Sequence, residues 1–159
     1  MDGYGGVIRD EKGCIEIIFH SKLGKATNNM AELMALDQCL EILRDSNLHN
    51  IIIEVDSEFI INSVKKICYG SALEKVSRHW RLLQVYQRVQ SHLQHMRTLC
   101  FTHVRQTTNK LADILANEGA LCAESNDKYK WIEVPQGRLR DECLRQAKTN
   151  RELYRNMGF

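Results

Sequence analysis

The sequence lacks the features that mark membrane and secreted proteins. No apolar run comes near the ~18 residues that a membrane-spanning helix needs, and the first residues do not have the pattern of a secretory signal peptide. Repeats and low-complexity segments are also missing, and Pro135 is the only proline. We therefore expect an intracellular protein with no membrane partner, in either the nucleus or the cytoplasm.

Cysteine occurs without the spacing of a redox or metal motif. None of the six cysteines forms a C-x-x-C pair, and most lie within apolar patterns. Reduced cysteine behaves as a small hydrophobe, so we expect these side chains to be reduced and buried. The six are Cys14, Cys39, Cys68, Cys100, Cys122 and Cys143.

The sequence also lacks a strong charge of either sign. Its 22 Lys and Arg residues face 20 Asp and Glu residues, for a net charge of +2. This balance excludes bulk electrostatic binding to nucleic acid, so any such binding requires a local patch. The length of 159 residues fits one domain and a tail. We expect a domain over residues 1–122 and a tail over 123–159, in which 138–157 has the pattern of a basic helix.

What is present predicts a mixed α/β domain in the order β-β-α-β-α-α-β-α. Residues 4–9 and 14–20 are rich in β-branched and aromatic residues and are separated by DEKG, which predicts a hairpin. The short apolar run IIIEV at 51–55 is typical of a strand covered on both faces. The other predicted elements are helices at 29–44, 57–67 (ended by Gly70), 80–95 and 108–118 (ended by Gly119), and a strand at 98–104.

Two carboxylates lie at notable places in this pattern. Glu32 falls on the apolar stripe of the helix at 29–44, in its first turn, where a carboxylate either points at the sheet or is favoured by the helix dipole. The stripe is formed by Leu33, Leu36, Leu40 and Leu43. Asp56 directly follows the strand at 51–55, at the end where ligand and metal sites of α/β folds gather. Alternatively, Asp56 or Ser57 caps the next helix.

A third carboxylate and a histidine complete the set. Asp113 lies on the polar side of the last predicted helix and alone is typical of a solvated face, whereas His103 ends the strand at 98–104. Three carboxylates and a histidine at element ends suit Mg²⁺, which prefers oxygen ligands. A weaker alternative is a zinc site. Its ligands would be His92, His95, Cys100 and His103, but Cys100 and His103 alternate onto opposite faces of a strand.

Four segments resemble the type 1 ribonuclease H domain, most closely the plant-type versions found alone or at the end of retroelement polyproteins. They are GYGGVIRDEKG (3–13), TNNMAELMAL (27–36), VDS (55–57) and HVRQTTNKLADILAN (103–117). The similarity covers about residues 3–121, and the order of the segments makes it specific. It implies an α/β fold with a ribonuclease H-like mixed sheet of five strands flanked by helices.

The resemblance also implies an activity and a site. Members of the family are hydrolases that cleave the RNA strand of an RNA–DNA hybrid as endonucleases, with two Mg²⁺ ions or with Mn²⁺ in their place. Glu32, Asp56 and Asp113 match three of the four metal-binding carboxylates. His103 matches the mobile histidine that assists water activation or product release.

Contacts to the nucleic acid are implied in the same way. The resemblance assigns hybrid contacts to Thr27, Asn28 and Asn29, and assigns support of the active-site loop to Asn109. Hydrogen bonds to 2′-hydroxyl groups would distinguish RNA from DNA. Glu58 stands where family members often have Gln, and the basic helical protrusion of some members is not evident.

The segment Asp2-Gly3 imitates the end of the family's first strand, which carries the fourth carboxylate. Asp2 is only two residues before Tyr4, so the family's turn does not fit between them. We therefore expect Asp2 to lie within the turn, and the fold to be N-terminally truncated. The chain is then either a ribonuclease that needs a carboxylate supplied to it, or a catalytically inactive nucleic-acid-binding or interaction domain derived from a retroelement.

Overall fold

The computed structural model describes residues 2–9, 15–48, 50–105, 110–121 and 130–131. The strands are β1 (Asp2–Arg9), β2 (Ile15–Gly24), β3 (Ile51–Val55), β4 (Leu99–His103) and β5 (Lys130–Trp131). The helices are α1 (Asn28–Asp45), α2 (Glu58–Cys68), α3 (Leu73–Val76), α4 (Trp80–Gln94) and α5 (Lys110–Leu121). This order confirms the predicted one and adds α3 and β5. None of the described helices combines the length and hydropathy needed to cross a bilayer. The predicted basic helix at 138–157 lies outside the described residues.

The chain divides into two compact units, which are described separately. The first unit comprises Met1–Lys25 with Lys110–Phe159, and the second comprises Ala26–Asn109. The first holds an antiparallel sheet in the order β1-β2-β5, and the second holds the parallel pair β3-β4. Among the described strands, β1 pairs only with β2 and β3 pairs only with β4. The described strands therefore form two sheets rather than one, and the missing first strand stays a prediction.

The first unit is a hairpin covered by a helix. Strands β1 and β2 pair antiparallel, with Val7 opposite Ile18, and α5 packs against both. A Cβ added to Gly5 would lie 2.7 Å from the Cβ of Leu115 and 2.8 Å from the carbonyl oxygen of Phe19. Only glycine therefore allows this approach of α5 to β1. The cluster between helix and hairpin consists of Ile18, Leu111 and Leu115, with Val7 at its margin.

The position of Asp2 differs from the prediction. Asp2 is the first residue of β1 and lies opposite Gly24, with a shift of register between Asp2 and Gly3. The expectation that Asp2 lies in a turn is therefore wrong. The physical reason is that β2 continues to Gly24, well beyond the predicted end at residue 20, and so gives Asp2 a strand partner.

Helix α1 organises the second unit. It begins after Thr27, whose Oγ1 accepts a hydrogen bond from the backbone N–H of Met30 at 3.3 Å. The predicted apolar stripe is confirmed, because all four of its leucines are buried. Helix α1 packs against α4, whose buried side chains include Val85, Tyr86 and Val89. Periodicity alone was sufficient to predict this helix and its buried face.

A buried polar group joins α1 to α4. The carboxylate of Asp37 accepts a hydrogen bond at 2.8 Å from Nε of Arg88, and Nε2 of His92 lies 3.5 Å from its other oxygen. Burial lowers the pKa of His92, and this effect outweighs the attraction of Asp37. His92 is therefore neutral at pH 7, and the ion pair of Asp37 is with Arg88. Local sequence patterns do not predict this contact, because 51 positions separate Asp37 from Arg88.

Strand β3 is not covered on both faces, contrary to the prediction. Ile52 is 68% exposed and Glu54 shares its face, whereas Ile53 on the opposite face is buried. The paired residues Cys100 and Thr102 of β4 are exposed as well. The error arose because β-branched residues favour strands whether or not both faces are buried.

The predicted burial of cysteine is also wrong in part. Cys68 and Cys100 are exposed, and Cys39 is the more enclosed of the three described cysteines, all of which are free. Burial raises the pKa of the Cys39 thiol to about 12. Cys68 is exposed because it is the last residue of α2, beyond the apolar face that contains Ile67.

Of the two helix ends predicted at glycines, one is confirmed and one is wrong. Gly70 has φ of +75° and follows α2 closely, as predicted. Gly119 does not end α5, which continues to Leu121. An internal glycine reduces helix stability by only ~1 kcal/mol, which neighbouring packing overrides.

Candidate active site

Asp56 and His103 lie side by side at the carboxyl ends of β3 and β4. The two strands are parallel, with Val55 opposite His103. The ladder continues one step further, because the N–H of Val104 donates to the carbonyl of Val55 at 2.9 Å. The ring Nε2 of His103 then lies 3.2 Å from the carbonyl oxygen of Asp56. Each residue therefore lies at the end of its strand, as predicted, and the parallel pairing of the two strands brings them together.

The cap of α2 is Ser57 rather than Asp56. The Oγ of Ser57 accepts a hydrogen bond from the N–H of Ile60 at 3.4 Å. Ser57 thereby satisfies one of the backbone donors at the start of the helix. The half-buried carboxylate of Asp56 is not needed for this role. The alternative that Asp56 or Ser57 caps the helix is therefore confirmed for Ser57 and not for Asp56.

Glu32 lies in the second turn of α1, not in the first. The helix begins at Asn28, and its first turn contains no acidic residue. The dipole explanation applies to the first turn, so it does not account for a half-buried carboxylate at this position. Glu32 belongs to the same unit as Asp56 and His103.

Asp113 belongs to the first unit, in the first turn of α5. Its negative charge is favoured by the dipole of that helix. Leu111, Ile114 and Leu115 are buried, whereas Asp113 is half-buried, so the predicted division of the helix into an apolar and a polar side is confirmed. Asn109 lies outside the described residues.

The described residues do not gather a metal site on their own. Within the described ranges, no group of three or more His, Cys, Asp or Glu side chains is placed to hold an ion. The oxygen donors Glu32, Asp56 and Asp113 suit Mg²⁺ in chemical type. For zinc, the three candidate histidines have separate partners: His92 faces Asp37, His95 contacts the Ser91 carbonyl at 2.7 Å, and His103 contacts Asp56. The fourth candidate, Cys100, is exposed. The zinc alternative is therefore not supported.

The three residues assigned to hybrid contact lie together at the start of α1. Thr27, Asn28 and Asn29 are all exposed. Thr27 caps the helix, whereas Asn28 and Asn29 are the next two residues and make no cap. Glu58 is exposed in the first turn of α2.

A comparison with protein families decides the assignment. A family model described as reverse transcriptase-like matches residues 2–119. The chain belongs to this family. The match covers the four segments that resemble ribonuclease H and leaves the whole predicted tail outside it.

Solved structures place this reverse transcriptase-like domain in the ribonuclease H fold. RNase H1 from the archaeon Halobacterium salinarum NRC-1 is 29% identical, with a TM-score of 0.61, and the match covers 74% of this chain and 83% of that chain. LC11-RNase H1 in complex with an RNA/DNA hybrid is 29% identical, with a TM-score of 0.61 and coverage of 74% and 84%.

A third structure supports the fold alone. The N-terminal RNase H domain of rv2228c from Mycobacterium tuberculosis is 24% identical, with a TM-score of 0.63 and coverage of 74% and 81%. None of the curated proteins compared with the chain matches it. The predicted fold class and the resemblance to ribonuclease H are thereby confirmed, and the plant-type origin stays a prediction.

Sequence reasoning missed a basic segment that runs from the end of α2 to the start of α4. Residues 65–81 contain five basic residues and one acidic residue. Two aromatic residues of this segment are exposed, Tyr69 at 87% and Trp80 at 61%. The guanidinium of Arg81 lies 5.2 Å from the centroid of the Trp80 ring. Charge counted in a sliding window would have found it, whereas the total over the chain concealed it. The basic residues are Lys65, Lys66, Lys75, Arg78 and Arg81.

Proposed function

We propose that this domain binds RNA–DNA hybrids and hydrolyses the RNA strand as a ribonuclease H-type endonuclease. The observation that carries the proposal is the placement of Asp56 beside His103 at the ends of two parallel strands, within segments that the family match covers. A carboxylate at this edge of a sheet is suited to a ligand role. The likeness to a ribonuclease H1 that was crystallised with a hybrid supports the choice of substrate.

In this proposal Glu32, Asp56 and Asp113 would hold Mg²⁺, or Mn²⁺ in its place. When bound, two such ions activate a water molecule and stabilise the leaving oxygen. The chain's own part is to supply carboxylate oxygens, and His103 contacts the backbone of one of these residues, Asp56. Because Nε2 of His103 is engaged with the Asp56 carbonyl, Nδ1 is the ring atom that would exchange a proton.

Two surfaces of the second unit would contact the nucleic acid. The exposed Asn28 and Asn29 would donate and accept hydrogen bonds at 2′-hydroxyl groups. The basic segment at 65–81 would neutralise phosphates, and Trp80 would add an apolar face. Binding that depends on phosphate contacts weakens as salt concentration rises.

A second function is supported by a separate observation. Since no group of three ligating side chains occurs among the described residues, the domain alternatively binds nucleic acid without cleaving it. This alternative uses the same two surfaces and requires no metal. Hybrid binding is common to both functions, and cleavage distinguishes them.

The test compares the 159-residue chain with the same chain extended by an N-terminal strand that ends in Asp-Gly. Cleavage of a labelled RNA–DNA hybrid is measured with Mg²⁺ and with Mn²⁺, beside hybrid binding by fluorescence anisotropy. We expect cleavage by the extended chain, and its loss in Asp56→Asn, because a neutral amide is a poor ligand for these ions. Asp45→Asn, at an exposed carboxylate, is the matched control and should leave cleavage unchanged.

The outcomes separate the two functions. Binding without cleavage in either form, with either metal, would select the non-catalytic alternative. Near-normal cleavage by a folded Asp56→Asn variant would exclude Asp56 from the site. Failure of both forms to bind the hybrid would refute both functions.

A further inference from the structure

The carbonyl oxygen of Asp56 occupies a special place in the backbone. It follows the last strand acceptor, Val55, and precedes Ser57, whose carbonyl accepts the first bond of α2 from Ile61 at 3.2 Å. Asp56 is therefore outside both the strand ladder and the helix ladder. The carbonyl oxygen of Asp56 is instead contacted by a side chain, because Nε2 of His103 lies 3.2 Å from it.

The chemistry of this contact fixes the position of a proton. A carbonyl oxygen only accepts, so Nε2 of His103 must be the donor and carry hydrogen. That hydrogen is present in the Nε2–H neutral tautomer and in the charged ring alike. The bond therefore needs only a donor at the Nε2 position.

We propose that His103 is a positioning residue, which fixes the Asp56 backbone at the end of β3 and through it the direction of the Asp56 carboxylate. The inference rests on the proposed function, because it gives that carboxylate its task. The role acts through Asp56 and is distinct from proton transfer by the imidazole. Partners that orient a ligating side chain typically change metal affinity by about 10–100-fold when they are removed.

Two substitutions separate positioning from proton transfer. In His103→Gln the amide nitrogen reaches about as far as Nε2, whereas in His103→Asn it reaches only as far as Nδ1. Neither amide exchanges protons at neutral pH. For the Asp56 shifts and for metal affinity, positioning therefore predicts that Gln replaces His and that Asn does not, whereas proton transfer alone predicts equal behaviour of the two variants.

The first readout needs neither metal nor substrate. Nuclear magnetic resonance of the 159-residue chain would report the ¹⁵N shifts of the His103 ring and the ¹³C shifts of the Asp56 carbonyl and carboxylate. We expect the Nε2–H signature in the ring, and Asp56 shifts that are retained in Gln and altered in Asn. His95→Gln, at an exposed histidine of the same unit, is the matched control.

The second readout is Mn²⁺ affinity, followed by paramagnetic broadening at the Ser57 amide. We expect His103→Gln to stay within about threefold of the parent and His103→Asn to lose about tenfold. Unchanged Asp56 shifts in His103→Asn, or equal effects of Gln and Asn, would overturn the positioning role. If the Asp56 shifts follow the expected pattern and no hybrid is cleaved, positioning stands and the proposed ribonuclease activity fails.

Discussion

The close approach of α5 to β1 makes Gly5→Ala a sharp perturbation of the first unit. The new Cβ would meet three atoms within 3.0 Å, namely the Cβ and carbonyl carbon of Leu115 and the carbonyl oxygen of Phe19. Two of these atoms belong to the backbone, and a Cβ does not move by rotamer change. The strand and the helix would therefore have to separate.

The size of the effect follows from two opposing terms. Overpacking a well-filled core costs roughly 1–3 kcal/mol, and three contacts this short place Gly5→Ala near the upper end. Replacing glycine with alanine also lowers the conformational entropy of the unfolded chain, which stabilises the folded state by roughly 0.4–1 kcal/mol. We expect a net loss of about 2 kcal/mol, which corresponds to a fall in Tm of about 4–8 °C for a chain of this length.

Gly6→Ala provides the matched comparison. Its Cβ would clash with the ring of Phe19 and not with backbone atoms. Shortening that side chain in the double variant Gly6→Ala with Phe19→Leu should relieve the clash. The same Phe19→Leu change should give no relief to Gly5→Ala, because the obstacles there are the Phe19 carbonyl and the Leu115 backbone.

The assay is urea unfolding followed by far-UV circular dichroism, with thermal unfolding beside it. A Gly5→Ala variant within about 0.5 kcal/mol of the parent, which is the usual range for surface changes, would refute the argument. Relief of Gly5→Ala by Phe19→Leu would show that the obstacle is the side chain and not the backbone.

Two further predictions concern the polar group between α1 and α4. Asp37→Asn removes the ion pair with half-exposed Arg88 and should cost about 1 kcal/mol in urea unfolding, whereas Asp45→Asn at an exposed pair should cost almost nothing. The lowered pKa of His92 means that the unfolded chain binds this proton more readily than the folded chain. The contribution of His92 to the free energy of unfolding should therefore be complete above the ordinary pKa of 6.5 and should fall as the pH drops below it. If His92→Gln shows the same pH dependence of unfolding as the parent, His92 is not its source.

The sequence was informative where local periodicity and burial coincide. The leucine stripe of α1 and the strand at 51–55 were predicted because side-chain spacing reports helix and strand directly. The positions of Asp56 and His103 at strand ends were predicted from the sequence, whereas their contact depends on the parallel pairing of β3 with β4. The sequence predicted a cap at Asp56 or Ser57 but not which of the two, because both residue types are good caps. The structure shows that Ser57 is the cap.

Other features depend on contacts between distant segments. The ion pair of Asp37 joins two helices, and nothing near Asp37 in the chain marks it as buried. Exposure of Ile52 could not be predicted from an apolar run, because composition does not report what covers a strand. Gly5 illustrates the same point, since the reason for its small size lies on a helix far along the chain.

The division of the chain also has a consequence for folding order. The second unit is continuous in sequence, from Ala26 to Asn109, so its contacts close over short distances along the chain. The first unit joins Gly5 to Leu115 across 110 positions, and closing so long a loop costs entropy before packing returns any gain. The β1-β2 hairpin precedes the second unit in the chain, whereas α5, the helix that packs on it, follows that unit. The core of the first unit can therefore be completed only after the whole second unit has been synthesised.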